Sequence, residues 1–239
     1  MKRFAVFDID GTLIRWQLYH AVADNLASKG FFGTQAQQEL KTQRLKWKNR
    51  EHDQAYKQYE RALVRIFDTN ITRITPAQFK NSVEEVVIKY KNQVYNYTKE
   101  LLRKLKKDGY FLIAISGSHQ EIIELIAKEY GFNDFAGSTY EQKNGLFTGA
   151  KNIVALDKKS ALDKIISRHN LTFSGSVGVG DTLGDMPILS SVQNPIAFNP
   201  ENELYKKAKI NGWKIVVERK NVIYELEQKN GTYLLAETN

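Results

Sequence analysis

The sequence predicts an α/β fold, a parallel sheet covered by helices with a block of further helices set into it, and three observations lead there. A short apolar run, Lys2 to Phe7, ends in acids and reads as a buried strand followed by a loop. Residues from about Trp16 to Tyr97 then follow a helical pattern throughout. From Thr98 onward helical and strand-like segments alternate, the signature of parallel strands joined by helical crossovers.

Within the helical block, Trp16, Tyr19, Val22, Ala23 and Leu26 recur at helical spacing before Lys29-Gly30. Tyr56, Tyr59, Leu63 and Phe67 form a second stripe, with Lys57, Arg61 and Arg65 on another face. Thr75-Pro76-Ala77-Gln78 starts a helix, with a capping threonine, proline in the first turn and glutamine at the third position. Phe79, Val83, Val86 and Tyr90 make the stripe that follows. The block is an all-helical insertion of about 80 residues by this periodicity.

The alternating part begins with a helix from Thr98 to Lys107, stopped by Asp108-Gly109. A strand from Tyr110 to Ile115 ends at Ser116-Gly117-Ser118, and Ser118 with Glu121 forms a capping box for a helix reaching about Tyr130. Lys143-Asn144-Gly145 reads as a hairpin turn. Lys158 to Arg168 is helical, and Ser176 to Val179 is a strand ending at Gly180-Asp181. Pro195 to Phe198 and Trp213 to Val217 are further strands, while the stretch after Glu218 carries no readable period.

Composition narrows the chemistry. The 239 residues suffice for one good-sized domain, or for a core with a smaller companion. With no cysteine, disulfides, thiolate catalysis and cysteine-based zinc sites are excluded, which fits a reducing compartment. The apolar run after Met1-Lys2-Arg3 is broken by Asp8 and Asp10, so it lacks the form of a secretory signal. No segment approaches the roughly 18 apolar residues of a membrane span. A soluble, cytoplasmic protein with no membrane partner is expected. The net charge of +8 favours anionic partners, although lysines solvating helix faces explain most such balances.

In an open parallel sheet, ligands bind outside the carboxyl ends of the strands. Three strands here end in polar groups: Asp8 and Asp10, then Ser116, then Asp181 with Asp185 close behind. Taken singly, each is an ordinary turn or cap residue. Taken in order, they resemble the haloacid dehalogenase superfamily of phosphohydrolases. The pattern opens with an apolar strand and DxDGT, here Asp8-Ile9-Asp10-Gly11-Thr12, and continues with a strand ending in Ser116. A lysine follows, and the pattern closes with GDxxxD, here Gly180-Asp181-Thr182-Leu183-Gly184-Asp185. The insertion between the first two motifs, with Asn199-Pro200 and Gly212-Trp213 downstream, is similar to the phosphoserine phosphatase-like branch.

That resemblance implies a Rossmann-like doubly wound parallel sheet as the core, residues 1–15 and 98–239, and an all-helical cap, residues 16–97. It implies a phosphatase whose nucleophile is Asp8, forming an aspartyl-phosphate, with Asp10 protonating the leaving oxygen and later activating water. Phosphate monoesters are anionic, so four gathered carboxylates need a hard dication to admit the substrate, and Mg2+ suits oxygen ligands. The ligands implied are Asp8, the Asp10 carbonyl and Asp181, with Asp185 supporting them. Ser116 and the Gly117 amide, together with Gly11, Thr12 and Arg15, are expected around the phosphoryl group, where amides at a helix start point at anions.

For the motif lysine, the family's register selects Lys158, ahead of Leu162, over its neighbour Lys159; it would neutralise charge building in the transition state. Asp10 is expected to have a raised pKa from the neighbouring carboxylates. The cap is where substrate choice is expected. Family phosphoserine phosphatases carry a glutamate nine residues after the nucleophile, and Gln17 stands there in this chain. The substrate is read as a small phosphorylated metabolite, with Gln17 arguing against phosphoserine. Of the four histidines, only His119, beside the second motif, stands near the chemistry. A phosphotransferase using the same intermediate is the alternative. A nucleic-acid-binding protein is the reading from another class, and no aromatic-basic interleaving supports it.

Overall fold

The computed structural model describes residues 1–235. In chain order the strands are β1 Lys2–Phe7, β2 Phe111–His119, β3 Asp134–Lys143, β4 Leu146–Asn152, β5 Leu171–Gly180, β6 Asn194–Phe198, β7 Lys214–Arg219, β8 Val222–Lys229 and β9 Thr232–Leu235. The helices are α1 Leu18–Ser28, α2 Gly33–Lys48, α3 Ala55–Asn70, α4 Pro76–Tyr90, α5 Asn96–Lys107, α6 Gln120–Tyr130, α7 Lys158–His169, α8 Met186–Leu189 and α9 Asn202–Asn211. The chain forms two compact units. One comprises Met1–Trp16, Tyr90–Ser138 and Ile153–Asn239, and the other Gln17–Lys89 and Thr139–Asn152.

In the first unit β1 lies mid-sheet, in the order β3-β2-β1-β5-β6-β7, all parallel, with β8 and β9 added antiparallel at one edge. Phe4, Ala5, Val6 and Phe7 are all 0% exposed, as a strand covered on both faces requires. Because side chains alternate along a strand, these residues serve two cores. Phe4 and Val6 pack with Ile113, Leu162, Ile165 and Ile188 on one face. Ala5 and Phe7 pack with Leu102, Leu105, Val179 and Phe198 on the other. Helices on both faces make the sheet doubly wound. The chain steps from β1 outward to β2 and β3, and from β5 outward to β6 and β7 on the other side. The carboxyl ends of β1 and β5 thus flank the switch point where such sheets bind ligands.

Three local expectations are corrected. The helical pattern does not run unbroken to Tyr97: Lys91–Tyr95 is non-helical, and α5 starts at Asn96. The Ser118–Glu121 capping box does not form, because β2 stays extended through His119 and His119 takes the N-cap position of α6. Beyond Glu218, residues 222–235 form the β8–β9 hairpin, turned by Asn230 and Gly231 at φ 51° and 79°. Its strands are mostly exposed and their apolar residues stand in runs, Val222-Ile223-Tyr224 and Tyr233-Leu234-Leu235, so they lack the apolar alternation that reveals a half-buried strand. The Thr75–Gln78 box does form, with each residue's side chain accepting from the other's amide at 3.2 and 2.9 Å.

The second unit packs α1 to α4 around Leu26, Tyr59, Leu63, Phe67, Phe79 and Val83. The hairpin 139–152 joins this unit. Tyr140 meets Phe67 edge-on at 5.3 Å between ring centres, and Phe147 meets Phe79 at 5.5 Å. Its turn is the Asn144-Gly145 pair, at φ 53° and 74°.

Candidate active site

Asp8 continues the β1 ladder by one residue, its amide donating to the Val179 carbonyl at 2.9 Å. The chain then folds back on itself, the Leu13 and Ile14 amides both donating to the Ile9 carbonyl at 3.0 and 2.9 Å. Gly11 sits in this turn at φ 82°, a left-handed conformation that favours glycine. Thr12, fully buried, donates its hydroxyl to Asp181 Oδ1 at 3.1 Å. The first and last motifs are thereby joined at the switch point.

At the end of β2, the Ser116 hydroxyl donates to Asp10 Oδ2 at 2.5 Å and accepts from the Ser118 amide at 2.8 Å. Gly117 leaves no room for a side chain, since a Cβ there would stand 2.9 Å from that of Ala155. Its carbonyl accepts the Ser138 hydroxyl at 2.8 Å, and Ser138 Oγ in turn accepts the Val154 amide at 3.2 Å. Sequence reasoning missed Ser138, because a serine within a strand pattern carries no positional signal.

The last motif folds around Asp185. Its Oδ2 accepts from the amides of Asp181 and Thr182 at 3.2 and 3.0 Å and from the Thr182 hydroxyl at 3.1 Å. This reciprocal cap depends on Gly180, where a Cβ would stand 2.5 Å from that of Asp185. On α7, the Asp157 carboxylate caps the helix start by accepting from the Ser160 amide at 3.0 Å. Lys158, in the first turn, donates its Nζ to Asp8 Oδ1 and Asp185 Oδ1, each at 2.6 Å. Lys159 turns away, pairing with Asp163 at 2.5 Å beside the Phe173 ring.

Asp8, Asp181 and Asp185 offer carboxylate oxygens that all lie within 4.8 Å of one another. The Asp10 side chain is outside this trio, turned to Ser116. Arg15 is not among these contacts either. It is exposed, with its guanidinium 5.6 Å from the Tyr95 ring centre. His119 is 0% exposed, and burial lowers it to about 3, so it is neutral and no acid–base group at neutral pH.

Burial, with repulsion from Asp185 and Asp10, raises Asp8 to about 8 against the pull of Lys158. Burial and repulsion from Asp8 and Asp185 raise Asp181 to about 9. Burial also pulls Lys158 down, but attraction to Asp185 and Asp8 outweighs it and holds the ammonium above its usual range. With all three carboxylates ionised, as metal binding requires, they leave a formal charge of −2 against the one ammonium. A hard dication with oxygen ligands fits both that charge and that spacing.

A family model of haloacid dehalogenase-like hydrolases matches residues 5–190. Histidinol-phosphatase of Neisseria meningitidis serogroup C is 24% identical, over 90% of this chain and 99% of its own length. Phosphoserine phosphatase SerB1 of Mycobacterium tuberculosis is 26% identical over 52% of this chain, and only 41% of its length is spanned. Among solved structures, a protein of unknown function from Bordetella pertussis Tohama I superposes with a TM-score of 0.72 at 20% identity, covering 90% of this chain and 98% of that one. A phosphoserine phosphatase holding a phospho-aspartyl intermediate analogue gives 0.60 at 18% identity, covering 92% and 94%. These structural likenesses establish the fold. With the family model matched over most of its length, the chain belongs to the haloacid dehalogenase-like hydrolase family, as an enzyme of the phosphatase kind.

Proposed function

We propose that the protein is a magnesium-dependent phosphomonoester hydrolase that attacks a small phosphorylated metabolite with the carboxylate of Asp8. The observation that carries this reading is the buried cluster in which Lys158 bridges Asp8 and Asp185 beside Asp181. Mg2+, held by Asp8, Asp181 and the Asp10 carbonyl, would supply Lewis-acid neutralisation of phosphoryl charge.

The residues then divide the work. Asp8 forms the bond to phosphorus as the ester oxygen leaves, and water later cleaves the resulting acyl phosphate. Asp10, hydrogen-bonded to Ser116 at 2.5 Å, delivers the proton to the leaving oxygen and takes one from that water. Lys158 faces the charge that builds on the phosphoryl oxygens, and Ser116 with the Gly117 amide orients them. Asp185 holds Lys158 in place. The second unit serves as the cap, and Gln17 in it replaces the acidic residue expected of a phosphoserine site. Histidinol phosphate is a first substrate to test, in keeping with the full-length match to a histidinol-phosphatase.

The test is hydrolysis of an aryl phosphate with Mg2+ and with EDTA, in the wild type and in Asp8→Asn, followed by a panel of phosphorylated amino alcohols, amino acids, sugars and nucleotides. Metal-dependent turnover abolished by Asp8→Asn is expected. Turnover in EDTA, or full activity in Asp8→Asn, refutes the mechanism.

A further inference from the structure

Thr98 stands in the first turn of α5 with 0% exposure. A threonine caps a helix from the N-cap position, which in α5 is held by Tyr95 without a side-chain cap. In this chain that task is taken from a distance: the Glu218 carboxylate, from β7, accepts from the Asn96 and Tyr97 amides at 3.0 and 2.9 Å. The Thr98 hydroxyl lies 3.5 Å from the Tyr95 carbonyl of its own helix start and makes its shorter bond, 2.9 Å, to the Thr12 carbonyl, across 86 residues of sequence. Thr12 is itself 0% exposed, and its own hydroxyl reaches Asp181 Oδ1 at 3.1 Å. The same two segments are joined by the Tyr95 amide donating to the Leu13 carbonyl at 3.1 Å and the Arg15 amide to the Gln93 carbonyl at 2.7 Å.

We propose that Thr98 is a positioning residue for the metal-binding carboxylates, acting through Thr12 to fix the rotamer of Asp181. The inference rests on the proposed reading of Asp181 as a ligand. A hydroxyl on Asp181 Oδ1 occupies one oxygen and presents the other to the ion. That arrangement holds only while the Thr12 backbone is fixed, and its buried carbonyl has Thr98 as the donor that fixes it. Without that hydroxyl the carbonyl is left unsatisfied and the turn relaxes toward another partner.

The experiment is a Mn2+ titration followed by electron paramagnetic resonance, on wild type, Thr98→Val, Thr98→Ser, Thr12→Val and the double valine variant. Each is checked for folding by circular dichroism. Thr98→Val is expected to weaken Mn2+ binding about tenfold, the low end of what losing the hydrogen bonds that orient metal ligands costs. Thr98→Ser, which keeps the donor, should restore wild-type affinity. The double variant should bind no more weakly than Thr12→Val alone, because both act along one path. Thr98→Val binding as tightly as wild type overturns the inference and leaves the metal site standing, as does a serine variant as weak as the valine. Misfolding of Thr98→Val with a normal serine variant makes the hydroxyl a folding element and overturns the inference too. Wild type that binds no Mn2+ overturns the proposed metal site and the inference together.

Discussion

Replacing Lys158 with methionine separates catalysis from metal binding, because the two are expected to move in opposite directions. The ammonium makes two hydrogen bonds of 2.6 Å, and the three side chains involved are 2 to 7% exposed. Two unit charges about 4 Å apart interact by about 4 kcal/mol at a partly buried site. Removing one member of a buried pair costs about 3–5 kcal/mol, because the orphaned charge remains. Metal-free Lys158→Met should therefore be less stable than wild type by an amount of that order, read by urea denaturation in EDTA. The formal charge of the cluster falls from −2 to −3 when the ammonium is lost, so a dication should bind more tightly. Loss of one preorganised donor at developing charge typically lowers kcat by about 10²–10³. Aryl phosphate kinetics across a Mg2+ titration should thus show a large fall in kcat together with a lower half-saturating Mg2+ concentration. A kcat within threefold of wild type, or a loss recovered by adding more Mg2+, would refute this account of Lys158.

Gly180→Ala places a methyl 2.5 Å from Asp185 Cβ, so Asp185 must leave its cap and with it Lys158; a stability loss of about 1–3 kcal/mol from overpacking is expected, with kcat down by about tenfold or more. Unchanged activity at saturating Mg2+ would contradict it. Stability of the metal-free protein should also depend on pH in a definite way. Asp8 and Asp181 titrate higher in the fold than in the unfolded chain, so their contribution is lost as pH rises toward about 8 and 9. Buried His20 and His119 titrate lower, at about 4 and 3, and theirs is lost as pH falls below about 6.5. The two effects oppose below that value, and only the first acts above it. Urea midpoints in EDTA should be nearly flat from pH 5 to 6.5 and fall toward pH 8.5, with Mg2+ suppressing the fall. A midpoint that rises over that upper range would be the wrong sign.

The features legible in the sequence were those that rest on short-range pattern. The strand Lys2–Phe7 declared itself because burial on both faces leaves an unbroken apolar run, and the Thr75–Gln78 cap because both partners lie within one turn. Ser118 and Glu121 have the same spacing, yet no box forms, since parallel pairing with β3 keeps β2 extended past the cap position. The motif's register favours Lys158 over Lys159, and in the fold Lys158 reaches Asp8 while Lys159 pairs with Asp163. Glu218 and Thr98 were illegible for a different reason. Each partners groups roughly a hundred residues away, and nothing in the local sequence marks an acid as another helix's cap.

The pairing of Leu13 and Arg15 with Tyr95 and Gln93 bears on how such a chain changes over time. These residues run as neighbours, with an antiparallel bridge between Ile14 and Val94. Seen from the sheet, everything between them is therefore the loop of a very long hairpin, whose two stems are already clasped. An excursion that begins and ends at one clasped point can lengthen, shorten or be exchanged for another without moving Asp8. The sequence of the loop is free to drift while the turn after Asp8 stays anchored at its base.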